Sequence, residues 1–213
     1  MDKQRLQQAL YWLPPLMVVA AAAAIYLKQD TLGALLSYDH SRILAGEYWR
    51  IVSGHLVHTN LNHLLLNGFG LALAWVLMPL RPRPHMALAG LVIVAALCGL
   101  ALLLFEPQIA SYRGLSGVIH ALLVLGAIFN IATIGERSQG LIVLAVVALK
   151  LYSESYGTSG SMVTALIGVP VVTESHFWGA VAGAAVAILL LLGIGFGQAI
   201  ARPLFWSRAG RPD

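Results

Sequence analysis

The sequence predicts an all-α membrane protein, a bundle of six transmembrane helices with both termini cytoplasmic, its 213 residues forming a single domain. Three observations carry this expectation. Hydrophobic residues make up 59% of the chain and charged residues only 10%, with a mean hydropathy of +0.80; a soluble domain typically carries about 25% charged residues. The apolar residues gather into runs near the roughly 20 residues that a helix needs to cross about 30 Å of hydrocarbon. The linkers between those runs are short and leave no room for a soluble domain beside them.

The first run, 12–27, follows a head bearing Lys3 and Arg5. A basic head before alanines could also be a cleaved leader, but Lys28-Gln29-Asp30 does not follow an A-x-A site. Residues 29–50 mix polar and apolar side chains without a full span and predict an interfacial loop with short helical pieces. Further spans are expected near 51–78, 87–105, 115–134, 139–155 and 174–196. They are joined by Arg81-Pro-Arg-Pro-His85, 106–113, 135–138 and 156–173. The lone cysteine, Cys98, lies inside an apolar run, so no internal disulfide can form.

A net charge of +4 and a pI near 9.5 raise the question of nucleic acid. The basic residues instead sit singly at the ends of apolar segments, which excludes a nucleic-acid patch and points to the lipid bilayer as partner. Basic residues favour the cytoplasmic side. With the N-terminus inside, the inner segments hold Lys3, Arg5, Arg81, Arg83, Arg137, Arg202, Arg208 and Arg211; the outer segments hold Lys28, Arg42, Arg50 and Arg113. Eight against four supports an inner N-terminus and an even span count. The second, fourth and sixth spans then start from the same outer face.

Polar side chains are costly inside a membrane and point to function. Three groups stand out, all toward the outer ends of those even-numbered spans. Gly114-Leu115-Ser116-Gly117 opens the fourth. A serine in a first helical turn sits among unpaired backbone N–H groups, where the helix dipole favours a developing oxyanion. The bland alternative is ordinary helix packing by glycine and serine. The soluble hydrolase elbow is not matched, since Val118 takes its last position. His176 opens the sixth span, with Gly179 and Gly183 on its helical face at offsets of three and seven. Small residues there permit close packing, and an imidazole can take a serine's proton and return it to a leaving amine; a histidine above a packing seam is the alternative. In the second span, His63 and Asn67 lie four apart on one face and are suitable oxyanion donors. Polar glue between helices competes, as does a metal site of His55, His58 and His63, although no H-E-x-x-H and no nearby carboxylate accompany them. Together the three groups offer a nucleophile, a base and oxyanion donors at one depth, the set that acyl transfer requires.

These residues resemble the rhomboid family of intramembrane serine proteases over nearly the whole chain. Trp49-Arg50 resembles its W-R signature, which braces the first outer loop. His63 and Asn67 fit H-x-x-x-N; Gly114 to Gly117 fit G-x-S-G; His176, Gly179 and Gly183 fit H-x-x-G-x-x-x-G. The resemblance implies a Ser116–His176 dyad without a carboxylate, an oxyanion held by His63, Asn67 and the Ser116 backbone N–H, and support from His58. It implies no cofactor and no metal. Glu174, two residues before His176, reads as a surface acid, and Lys150 with Glu154 as a helix-end ion pair.

Two positions depart from the family pattern. His120 replaces the tyrosine usual four residues after the nucleophile, one turn below Ser116, where it could stack on His176 and fix its ring or tune its proton affinity. Ser175 replaces the usual alanine before the base. Tyr112 to His120 in a minimal chain look like the rhombosortase branch, whose members process proteins with a C-terminal Gly-Gly motif, an apolar span and a basic end. The resemblance thus implies a bacterial inner-membrane protease opening to the periplasm, with such membrane-anchored proteins as substrates. A Gly-Gly segment threads readily into a narrow cleft because glycine tolerates most backbone angles. Two other classes compete: a catalytically dead relative acting as a scaffold, and a transporter, which would need polar residues across the full membrane depth.

Overall fold

A computed structural model describes residues 2–156 and 160–196; Arg202, Arg208 and Arg211 of the charge count lie outside them. The described chain is mostly helical: α1 (Lys3–Leu27), α2 (Gln29–Leu36), α3 (His40–Leu44), α4 (Arg50–Ser53), α5 (Leu61–Leu77), α6 (Pro84–Phe105), α7 (Ser116–Ala132), α8 (Arg137–Ser155), α9 (Gly160–Ile167) and α10 (Thr173–Phe196). One antiparallel pairing joins β1 (Tyr38–Asp39) to β2 (Ser111–Tyr112), with Tyr38 opposite Tyr112.

Among the described residues three helices are long and apolar enough to cross a membrane: Arg5–Leu27 within α1, α6, and Thr173–Gly193 within α10. A bent pair, Arg50–Leu56 with Leu61–Leu77, makes a fourth if it is one span. α7 is central. It is buried along most of its length, as a helix of an interior is; Val118, Ala121, Leu122, Leu125 and Phe129 are all buried against neighbours from α5, α6 and α10. Those neighbours turn their own outer faces outward as leucine, valine and phenylalanine: Leu65, Phe69, Val92, Leu104, Leu189 and Leu192 are exposed. An apolar exterior of that extent is what lipid solvates.

The segment expected as one span at 51–78 is not one helix. α4 and a 3-10 turn (Gly54–Leu56) precede α5 at an angle of 98°. The break has a local cause. Val57 is extended, and Asn60 starts a new helix, its side-chain oxygen accepting from the His63 backbone N–H at 2.9 Å. Asn is a preferred residue at that capping position. Two loops also carry more structure than expected, since α9 occupies part of 156–173 and β2 part of 106–113.

The 29–50 segment contains the short pieces expected of it, and Trp49-Arg50 binds them together. The Arg50 side chain is fully buried and donates from Nη1 to the Ala34 and Ser37 carbonyls at 2.8 and 2.7 Å, and from Nε to Glu47 at 2.6 Å. The Trp49 indole donates to the Leu35 carbonyl at 3.2 Å. Asp39 caps α3; the Arg42 backbone N–H and the Ser41 hydroxyl hold its carboxyl below the ordinary carboxylate range.

Candidate active site

The site is assembled where α5, α7, α8 and α10 converge. α7 begins at Ser116 itself, so the serine occupies the first helical position, half-buried. Gly114 makes that start possible. Its φ is +116°, a conformation glycine adopts freely and other residues rarely do. A Cβ there would also lie 2.6 Å from His63 Nε2 and 3.3 Å from Asn67 Nδ2. His63 and Asn67 therefore abut the backbone leading into the serine, as their shared face on α5 predicts.

α10 lies directly on α7 through glycine. A Cβ on Gly179 would collide with the Gly117 carbonyl, and one on Gly183 with that of Ala121. Gly117 is equally confined, by the Cys98 sulfur and the Ser175 carbonyl. This contact carries His176 to Ser116: Nε2 is 2.9 Å from the serine Oγ. His176 is itself buried, with 4% exposure.

His120 lies one turn below Ser116, as expected. Its ring stacks on that of His176 with centroids 4.3 Å apart and planes 15° from parallel, and its Nδ1–H donates to the Ser116 carbonyl at 2.7 Å. His58 is buried, its Nδ1–H donating to the Leu56 carbonyl at 3.1 Å and its ring edge-on to His63 at 5.0 Å. His55 turns away, bonding the Ala95 carbonyl at 3.0 Å. The three histidines of the metal alternative thus do not converge, and among the described residues no group of three possible ligands does.

The expectation of a base without a carboxylate does not match the geometry. His176 Nδ1 lies 2.9 and 3.0 Å from the two carboxylate oxygens of Glu154, in the last turn of α8. Lys150 does pair with Glu154, at 2.5 Å, but through one oxygen and beside the histidine contact. One tautomer satisfies both nitrogens: Nδ1–H donates to Glu154, and Nε2 accepts from the Ser116 hydroxyl. Glu154 was visible in sequence as an acid near the outer end of an apolar run. Its pairing with His176, 22 residues on, was not.

Four other residues complete the site, of which Tyr112 lay within a stretch singled out in the sequence. Thr59 lies 3.1 Å from His63 Nδ1; with its hydroxyl donating there, the proton of a neutral His63 sits on Nε2, the nitrogen facing Gly114. The Tyr112 hydroxyl donates to the Gly114 carbonyl beneath the turn, and burial pushes it above the ordinary phenol range. Asn60 and Asn62 donate to the Ile167 and Leu166 carbonyls at 2.8 and 3.0 Å, tying α9 to the start of α5. A cleft of about 250 Å³ opens over Ser116 between Thr59, His63, Ser111 to Arg113, Ile167 and the stretch from Val169 to Val172.

Asn67 is the most informative of the oxyanion candidates. It is buried, yet its Nδ2 has no hydrogen-bond partner among the described residues. A buried donor left unpaired costs about 1–3 kcal/mol, and a site that binds a developing anion is one reason to keep it. No family model matches the chain, and no curated protein is similar to it.

Proposed function

We propose that the chain is a serine endopeptidase of the rhomboid type, acting on membrane-anchored proteins within the bilayer. The observation that carries this reading is the 2.9 Å contact between His176 Nε2 and the Oγ of Ser116, a residue that lines an open cleft, with the unpaired buried amide of Asn67 against Gly114 just ahead of it. Serine is a weak nucleophile until a base lies within hydrogen-bond reach of its hydroxyl.

In the proposed reaction, Ser116 Oγ attacks the scissile carbonyl carbon and its proton passes to His176 Nε2. The carbonyl oxygen becomes an oxyanion, for which His63 Nε2–H, Asn67 Nδ2 and the Ser116 backbone N–H are the donors at hand. The carbon–nitrogen bond then breaks, His176 returns the proton to the departing amine, and an ester on Ser116 remains. Water or an amine resolves that ester. Each oxyanion donor contributes about 3 kcal/mol in such chemistry.

Six spans with both termini inside, in a bacterial inner membrane, would place the cleft toward the periplasm. Two features favour a site sunk below the outer surface. At 1.5 Å per residue, the 17 residues of α7 reach only about 26 Å, short of a full hydrocarbon layer. The outer residues 29–50 are also locked together by Arg50 into a rigid rim. The substrate class that fits is the rhombosortase kind, a Gly-Gly segment ahead of an apolar span and a basic end. Ile167 and Val169 to Val172 give the cleft an apolar wall, against which a glycine segment can lie without side chains to accommodate.

The test is co-expression with a reporter carrying a Gly-Gly sorting tail. Release is expected from wild type and none from Ser116→Ala or His176→Ala, with both variants still recovered in the membrane. Substantial cutting by either variant would overturn the assignment.

A further inference from the structure

We infer that Glu154 is a positioning residue for the base, so that the working unit is Ser116–His176–Glu154; this rests on the serine-protease reading above. The carboxylate touches His176 through both oxygens. Its side chain is 6% exposed, and that of His176 is 5%. With Nδ1–H held by an anion, the imidazole lone pair stays on Nε2, where the Ser116 proton must go. When His176 accepts that proton, the positive charge forms against a carboxylate already in place. Glu154 remains ionised throughout and receives no proton.

A stabilising ion pair alone does not explain this residue. Glu154 lies in the last turn of α8, where the helix dipole opposes negative charge. It is also removed from water, which costs more unless the charge is well paired. Its intrahelical partner Lys150 precedes it by four residues, the less favourable order for such a pair, and the Lys150 side chain is 42% exposed. Helix location, burial and order thus all disfavour a carboxylate placed for stability. The groups that face His176 are Ser116 and His120 from α7 and Glu154 from α8, with Lys150 behind the carboxylate.

The experiment compares Glu154→Gln, Glu154→Asp and Lys150→Gln in full-length protein reconstituted in vesicles, with kcat and KM measured on the Gly-Gly-tailed reporter. Glu154→Gln keeps the shape but lets an amide N–H face Nδ1, which favours the wrong tautomer. Its kcat is expected to fall about 10²- to 10⁴-fold with KM little changed, as replacing the acid of a catalytic triad by its amide does. Glu154→Asp should recover at least about tenfold over Glu154→Gln because it restores the charge. Lys150→Gln, which removes only the ion pair, should stay within about threefold of wild type.

Wild-type kcat in Glu154→Gln, no recovery in Glu154→Asp, or equal losses in Lys150→Gln and Glu154→Gln would each overturn the inference. If Glu154→Gln does not fold, Glu154→Asp is set against Lys150→Gln: a kcat loss confined to the former supports the inference, and equal behaviour overturns it. Failure of the underlying reading looks different. There, wild type itself neither cuts the reporter nor reacts at Ser116 with a fluorophosphonate.

Discussion

Gly179→Ala is the sharpest probe of the architecture, because it adds one methyl group and touches no reacting atom. A Cβ at 179 would sit 2.7 Å from the Gly117 carbonyl carbon and 3.0 Å from its Cα, whereas ordinary contact begins near 3.4 Å. Relieving even the carbon–carbon overlap requires 3.4 − 2.7 = 0.7 Å of separation, and the carbonyl oxygen lies closer still. The obstacle is backbone on both sides, so no side chain can swing away. Parting α7 and α10 by about 1 Å would stretch the 2.9 Å contact between Ser116 and His176 to about 3.9 Å, outside hydrogen-bond range. A misplacement of that size costs about 10²-fold in rate, and overpacking of this kind about 1–3 kcal/mol in stability. The assay is the initial rate of reporter release from vesicles, alongside fluorophosphonate labelling of Ser116 and thermal unfolding. Gly183→Ala should behave similarly, since its Cβ would meet the Ala121 backbone carbons at 2.7 Å and the carbonyl oxygen closer still. Gly193→Ala, with open space around it, should do nothing. A folded Gly179→Ala protein cutting within about threefold of wild type would refute the claim that glycine contact sets the distance between nucleophile and base.

Two further substitutions separate the parts of the site. His120→Phe keeps a ring under His176 but loses the bond to the Ser116 carbonyl; loss of one such bond, about 1 kcal/mol, predicts roughly a fivefold fall in kcat, and complete inactivation would show that His120 does more than stack. Asn67→Ala removes a buried donor that has no partner among the described residues, so kcat should fall about 10²- to 10³-fold while the melting temperature does not fall. Unchanged kcat there would remove Asn67 from the reaction.

Much of this was legible in sequence because helical periodicity is local. His63 and Asn67 had to share a face, as did His176, Gly179 and Gly183, whatever the tertiary structure. The place of Ser116 at a helix start followed from its position at the head of an apolar run. The break before α5 was hidden because its flanks are apolar enough to average into one run, and the cue is a single capping amide on Asn60. The link between Glu154 and His176 was hidden for another reason. It depends on how α8 is rotated about its axis against α10, and spacing within either helix says nothing about that rotation. Paired with Lys150 in the same helix, Glu154 had a nearer explanation, and that explanation was incomplete.

The ring of His120 is fastened to the helix that supplies the hydroxyl, while the imidazole resting on it belongs to the opposing one. Moving the two helices apart also separates the stacked rings. The floor under the base therefore travels with the nucleophile, so ring stacking adds to the glycine contact in holding the two in line.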